Sequence, residues 1–128
     1  MRMLIADDHE GVRQGLKEIL ADAFPQAQFS EAGDGNEVLI HLAQTECSVL
    51  LLDIHMPGRS GLDVLQDVKR DYPNTPVIIV SVQPADQYAA CCLRAGAAAY
   101  VNKDRAAEEL VDTVRRILAD CGCGAAKS

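Results

Sequence analysis

The chain has 128 residues, 48% of them apolar and 24% charged, and a formal net charge of −7. That length makes one domain able to bury a core without disulfide or metal staples. The acidic balance, with 12 scattered basic residues, argues against this chain gripping nucleic acid by itself. No apolar stretch approaches the roughly 20 residues of a membrane helix. No secretory leader opens the sequence either, so the default expectation is a cytoplasmic protein without a membrane anchor.

The segments alternate regularly. Residues 3–6 form a short apolar run that ends at Asp7-Asp8, and Val12, Leu16, Ile19, Leu20 and Ala23 then fall on one helical face until Pro25 stops the helix. Residues 26–32 alternate, with Ala27 and Phe29 on one side, as a half-exposed edge strand would. Gly33-Asp34-Gly35-Asn36 is a turn and cap before a helix carrying Val38, Leu39, Leu42 and Ala43. Residues 49–52 are continuously apolar, as in a strand covered on both faces, and the run ends on Asp53. A Pro/Gly loop follows, and then Leu62, Leu65, Val68 and Tyr72 at helical spacing. After Pro73-Asn74-Thr75-Pro76, residues 77–80 are a β-branched strand leading into Ser81. Pro84 opens a helix that Gly96 caps. Residues 98–101 make a fifth strand, followed by Asn102-Lys103-Asp104, and Leu110, Val111, Val114, Ile117 and Leu118 line a last helix. The segment 122–128 reads as a frayed tail or the start of a linker, which puts the domain at 1–121.

Strand and helix in strict alternation predict an α/β domain: a doubly wound parallel sheet with right-handed crossovers and helices on both faces. Ligands of such sheets bind outside the carboxyl ends of the strands. Those ends offer Asp7 and Asp8, Asp53, Ser81 and Lys103. Three carboxylates in one cleft repel, by about 3 kcal/mol per pair at roughly 5 Å and an effective dielectric of about 20. A divalent cation relieves that repulsion, and Mg2+ suits a set of carboxylates, water and a phosphate oxygen. An added ammonium and hydroxyl complete what a transferring phosphoryl group requires, because its catalysis is mostly positioning and charge neutralisation. With no Cys or His at a strand end, Asp53 is the candidate nucleophile, giving an aspartyl phosphate.

These residues resemble the receiver domain of two-component response regulators over nearly the whole chain. The matching pieces are LIADDHEGVRQGL (4–16), LLLDIHMPGRSGLDVL (50–65), VIIVS (77–81) and AGAAAYVNKD (95–104). Their style is similar to the NarL/FixJ (LuxR-type) subfamily. The resemblance implies a flavodoxin-like (βα)5 sheet in the order 2-1-3-4-5, with Asp53 as phosphoacceptor. It implies that Asp8, Asp53 and the backbone carbonyl of His55 hold Mg2+, with Asp7 acting through water. Lys103 and Ser81 would contact the phosphoryl oxygens, and Tyr100 would turn inward as the switch. Val82 and Gln83 lie where the family modulates access and lifetime. A sensor histidine kinase would be the phosphodonor, with acetyl phosphate as a small-molecule substitute. The output would be a C-terminal helix-turn-helix domain in a longer protein, and two copies could pair through the last helices. The protein would modify itself rather than turn over a separate substrate.

Two features depart from the family pattern. Val82 follows the switch serine where a small residue is usual, which would narrow access to Asp53. Asp104 follows Lys103 where many receivers carry proline, yet the resemblance still implies a cis peptide at that joint. Taken singly, each site residue has a plainer reading: Asp7-Asp8 as a helix cap, Asp53 as a strand terminator, Ser81, Tyr100 and Lys103 as structural or solvated groups. His9 would cap or flank the cleft and His41 would be a helix surface residue. Cys47, Cys91 and Cys92 sit in apolar segments as small hydrophobes, and Cys121-Gly122-Cys123 lacks the partners of a zinc site. Two alternatives use similar parts. A magnesium-dependent phosphatase would want its nucleophile on the first strand, and a flavodoxin-like mononucleotide binder a phosphate-cradling loop where Asp7 and Asp8 stand.

Overall fold

A computed structural model describes residues 1–56, 58–82 and 85–126, and side chains throughout these except 85–88 and 121–126. The strands are β1 (Arg2–Ala6), β2 (Gln28–Ala32), β3 (Val49–Leu52), β4 (Val77–Ser81) and β5 (Ala99–Asn102). They alternate with helices α1 (Glu10–Ala23), α2 (Gly35–Gln44), α3 (Gly61–Asp71), α4 (Ala85–Arg94) and α5 (Ala106–Ala126). All strand pairs are parallel, in the order β2-β1-β3-β4-β5. This is the flavodoxin-like arrangement that the resemblance implied, and its order reverses between β1 and β3.

Continuous apolar strands make this sheet two-sided. Leu4, Leu50, Leu52, Val77 and Ile79 face a core shared with α2, α3 and α4, through Val38, Val64, Leu65, Val68 and Cys92. The alternate residues Met3, Ile5, Leu51, Ile78 and Val80 face Leu16 and Leu20 of α1 and Leu110, Val114 and Ile117 of α5. The polar alternation of β2 marks it as an edge strand, and Ala27 and Phe29 pack together on the α1/α5 side.

The punctuation residues act as their chemistry dictates. Asp34 caps α2, its carboxylate accepting from the Glu37 amide at 2.9 Å, and Ser60 caps α3 by accepting from the Asp63 amide at 3.2 Å. Gly96 takes φ = 110° just past α4, where its amide returns to the Leu93 carbonyl. One expectation needs correction. The Lys103–Asp104 peptide is trans, since no cis bond occurs among the described residues. Without proline the trans form is favoured by about 3 kcal/mol, and Lys103–Arg105 instead forms a 3-10 turn whose Asp104 amide donates to Asn102 Oδ1. Helix α5 runs to Ala126.

Candidate functional site

The site lies where the first and third strands end. Ala6 pairs with Leu52 in the β1/β3 register, so the next residues, Asp7 and Asp53, leave the sheet side by side. Both are still tied to it by main-chain hydrogen bonds: Asp7 N–H to the Ala32 carbonyl at 3.0 Å, Asp53 N–H to the Ala6 carbonyl at 2.9 Å. Their residues are 1% and 4% exposed, a deep burial for two acids. Asp8, one residue further on, stands at the surface.

The cation between them comes from the opposite side. Lys103 follows β5 directly, and its ammonium lies 2.7 Å from Asp7 Oδ2 and 3.3 Å from Asp53 Oδ2. The second contact is a hydrogen bond, whereas Asp7 Oδ2 has charge proximity but no well-aligned donor. Asp53 Oδ1 accepts from the His55 amide at 3.1 Å. Burial pushes the Asp53 carboxyl above its ordinary value, and the Asp7 charge adds to this against the pull of the His55 amide and Lys103. Burial also works against the Lys103 charge, but the two carboxylates outweigh it and hold the ammonium above its ordinary value.

His9 completes the acidic corner. It is the N-cap residue of α1 without a side-chain cap bond, so neither Asp7 nor Asp8 serves as that cap. Its amide donates to Asp7 Oδ1 at 2.9 Å, and its Nδ1 lies 3.3 Å from Asp7 Oδ1 and 3.0 Å from Asp8 Oδ1. Among the described residues, Asp7, Asp8 and His9 form the cluster of ligand-type atoms, all within 4.8 Å of one another. Asp53 joins the cluster through Lys103, and His55 contributes its amide to Asp53 while its own residue is exposed. Two buried carboxylates sharing one ammonium, an exposed third beside them at Asp8, and one buried carboxylate oxygen lacking a hydrogen bond fit a hard divalent cation.

Ser81 is fully buried at the end of β4, opposite Asn102 in the β4/β5 register. Tyr100 is half-buried on β5 against the α2–α4 core. Val82 is 58% exposed just after β4. Gln83 lies outside the described residues, as do the side chains of Cys121 and Cys123. The remaining cysteines are free thiols, Cys92 buried and Cys47 and Cys91 half-buried. His41 is likewise half-buried rather than a plain surface residue.

Sequence reading missed two ion pairs around the site. Arg13 of α1 donates from Nη1 to the Asp7 carbonyl at 2.6 Å and from Nε to Glu31 Oε1 at 2.8 Å. Arg59, in the loop after Asp53, pairs with the nearly buried Asp67 of α3, which also meets Arg70 at 3.1 Å. Arg13 joins α1 to β2, and Arg59 reaches Asp67 from outside α3, so neither pair falls at the three- or four-residue spacing of one helix face.

A doubly wound sheet with buried acids at its switch point and a lysine reaching over them defines the receiver class of signalling domain. A profile described as the response regulator receiver domain matches residues 3–115, and the chain belongs to that family. It is 34% identical over 115 residues to the uncharacterized transcriptional regulatory protein YxjL of Bacillus subtilis, covering 90% of this chain and 53% of that protein. To the nitrate/nitrite response regulator protein NarP of Escherichia coli it is 33% identical over 114 residues, covering 89% of this chain and 53% of that protein. Among solved structures it resembles the response regulator TrrA of Thermotoga maritima, determined in complex with Mg(2+)-BeF, with a TM-score of 0.81 and 28% identity. That alignment covers 91% of this chain and 98% of the other. The chain spans about half the length of the curated relatives it matches. Neither the phosphatase nor the mononucleotide-binding alternative finds support in these likenesses. No helix among the described residues is long and apolar enough to cross a membrane.

Proposed function

We propose that this receiver works in the cytoplasm, taking a phosphoryl group onto Asp53 from the phosphohistidine of a sensor histidine kinase, or from acetyl phosphate, and so controls an output domain. The observation that carries the reading is Asp53 itself: a buried acid at the end of β3, level with Asp7 and held by Lys103 and the His55 amide. An Asp53 carboxylate oxygen attacks phosphorus, the bond to the donor nitrogen or acyl oxygen breaks, and the leaving group departs with its electron pair. Asp8, Asp53 and the His55 carbonyl would hold Mg2+, with Asp7 through water, and the ion would supply positive charge for the phosphoryl oxygens. Lys103 meets one of those oxygens and Ser81 another by hydrogen bond. Tyr100 follows Ser81 inward, and a new charge of about −1.5 to −2 on Asp53 biases the surface beyond β4 and β5. Val82 and Gln83 set how readily donor and water reach Asp53.

Residues 1–121 serve as the receiver and 122–128 lead toward the output. Relatives about twice as long, two of them named as regulators, support a helix-turn-helix output in the longer protein. Intact mass after incubation with acetyl phosphate and magnesium tests the reading. One phosphoryl adduct that needs magnesium and is absent in Asp53→Asn is the expected result. An adduct retained in Asp53→Asn, or none in the wild type, rejects Asp53 as acceptor.

A further inference from the structure

The Arg13 guanidinium is mostly buried, 16% exposed, and touches the acidic corner through the main chain rather than through a carboxylate. The amide of Asp7 is held by the Ala32 carbonyl and the carbonyl of Asp7 by Arg13 Nη1, so the residue is gripped on both sides. That carbonyl belongs to the peptide unit joining Asp7 to Asp8. Because a peptide is planar, fixing its oxygen fixes the direction in which Asp8 leaves the sheet. The other branch of the guanidinium is anchored on Glu31, which faces Ile5 across the β1/β2 ladder. The Arg13 hydrogen bond holds the Glu31 carboxyl below its ordinary value. Lys17 adds a weaker contact to it at 3.6 Å.

We propose that Arg13 is a positioning residue of the cation site, setting the Asp7–Asp8 peptide plane and hence the aim of the Asp8 carboxylate. The inference rests on the reading of these acids as magnesium-binding. Geometry and field pull in opposite directions here, which makes the idea testable. A positive charge beside a cation site weakens binding by Coulomb repulsion, and Glu31 offsets that charge. What remains to Arg13 is orientation, which a planar fork can impose across two acceptors and a lysine ammonium cannot.

The test is magnesium titration of the full chain by isothermal calorimetry for wild type, Arg13→Lys and Arg13→Gln. Urea unfolding without magnesium monitors the fold, and hydrogen exchange follows the His9 amide. Both variants are expected to bind magnesium about tenfold more weakly, as loss of a group supporting a metal ligand does. Faster exchange at His9 is expected alongside. Weakening in Arg13→Lys at unchanged charge, and in Arg13→Gln despite a lost positive charge, is an outcome the field alone cannot produce. Unchanged affinity in Arg13→Lys, or tighter binding in Arg13→Gln, overturns the proposal while the magnesium reading stands. A wild type that binds no magnesium overturns that reading and the inference with it. Arg13→Lys, which keeps the charge and most of the stem, decides the matter should Arg13→Gln unfold.

Discussion

The ammonium of Lys103 pairs with Asp7 at 2.7 Å, closer than the 3.3 Å that separates it from Asp53. The lysine is thus shared, and its nearer partner is the acid that is not the proposed phosphoacceptor. Lys103→Met leaves the two buried carboxylates without their shared counter-ion, each keeping its amide hydrogen bond. At pH 7 the variant is expected to lose about 3 kcal/mol of stability, the usual cost of removing one partner from a buried pair. Urea denaturation measures this, and millimolar magnesium should return part of the loss. In the wild type the raised value of Lys103 keeps this stabilisation whole below pH 10.5, to be lost as pH rises through the folded value above it.

Asp53 gives a slope of the same sign in a lower pH window. Its carboxyl titrates above the ordinary 3.8 in the folded protein, so between 3.8 and that higher value the folded state binds more protons than the unfolded one. Stability therefore falls as pH climbs through the window. Asp53→Asn removes the penalty and should unfold at higher urea than wild type at pH 7. The advantage should narrow as pH falls toward 3.8. An equal or lower midpoint at pH 7 would show that the Lys103 pairing outweighs the burial of Asp53.

Gly61 closes the loop that follows Asp53, its amide donating to the Ile54 carbonyl at 2.8 Å. A Cβ there would collide with Ile54 Cα and the Asp53 carbonyl oxygen, both main-chain atoms that cannot swing aside. Gly61→Ala is expected to cost about 3 kcal/mol, the upper range for overpacking. Because the displaced atoms belong to Asp53 and its neighbour, adduct formation should slow as well. Thermal unfolding and the rate of mass gain with acetyl phosphate report the two effects separately.

Val82 is the converse case. With more than half its surface in solvent, Val82→Ala should change stability by less than about 0.5 kcal/mol. If its branched side chain screens the approach to Asp53, adduct formation from acetyl phosphate quickens. An unchanged rate removes Val82 from the access path.

Much of the architecture was legible because the strands are apolar on both faces and the breaks carry Pro, Gly and capping residues. Asp53, Ser81 and Lys103 were legible for the same reason: a polar residue at the end of an apolar run is conspicuous. Arg13 was hidden, since a basic residue on an amphipathic helix reads as solvated, and only the β1/β2 register brings Glu31 and the Asp7 carbonyl within its reach. Asp67 was hidden likewise, its partner Arg59 lying in a Pro/Gly loop that local pattern leaves undirected. At Lys103–Asp104 the family analogy misled where the residue types pointed the right way, because aspartate lacks the ring that makes a cis bond accessible.

The main-chain bonds of Asp7 and Asp53 have one more effect. The gap between these acids is measured out by the spacing of neighbouring strands, about 4.8 Å in any sheet. Backbone hydrogen bonds set it, and every sequence that folds this way makes them alike. The dimensions of the candidate site are therefore inherited with the topology, and the outward residues of α1 to α5 are free to drift. A lineage can rewrite whom the domain listens to while leaving untouched the frame in which it hears.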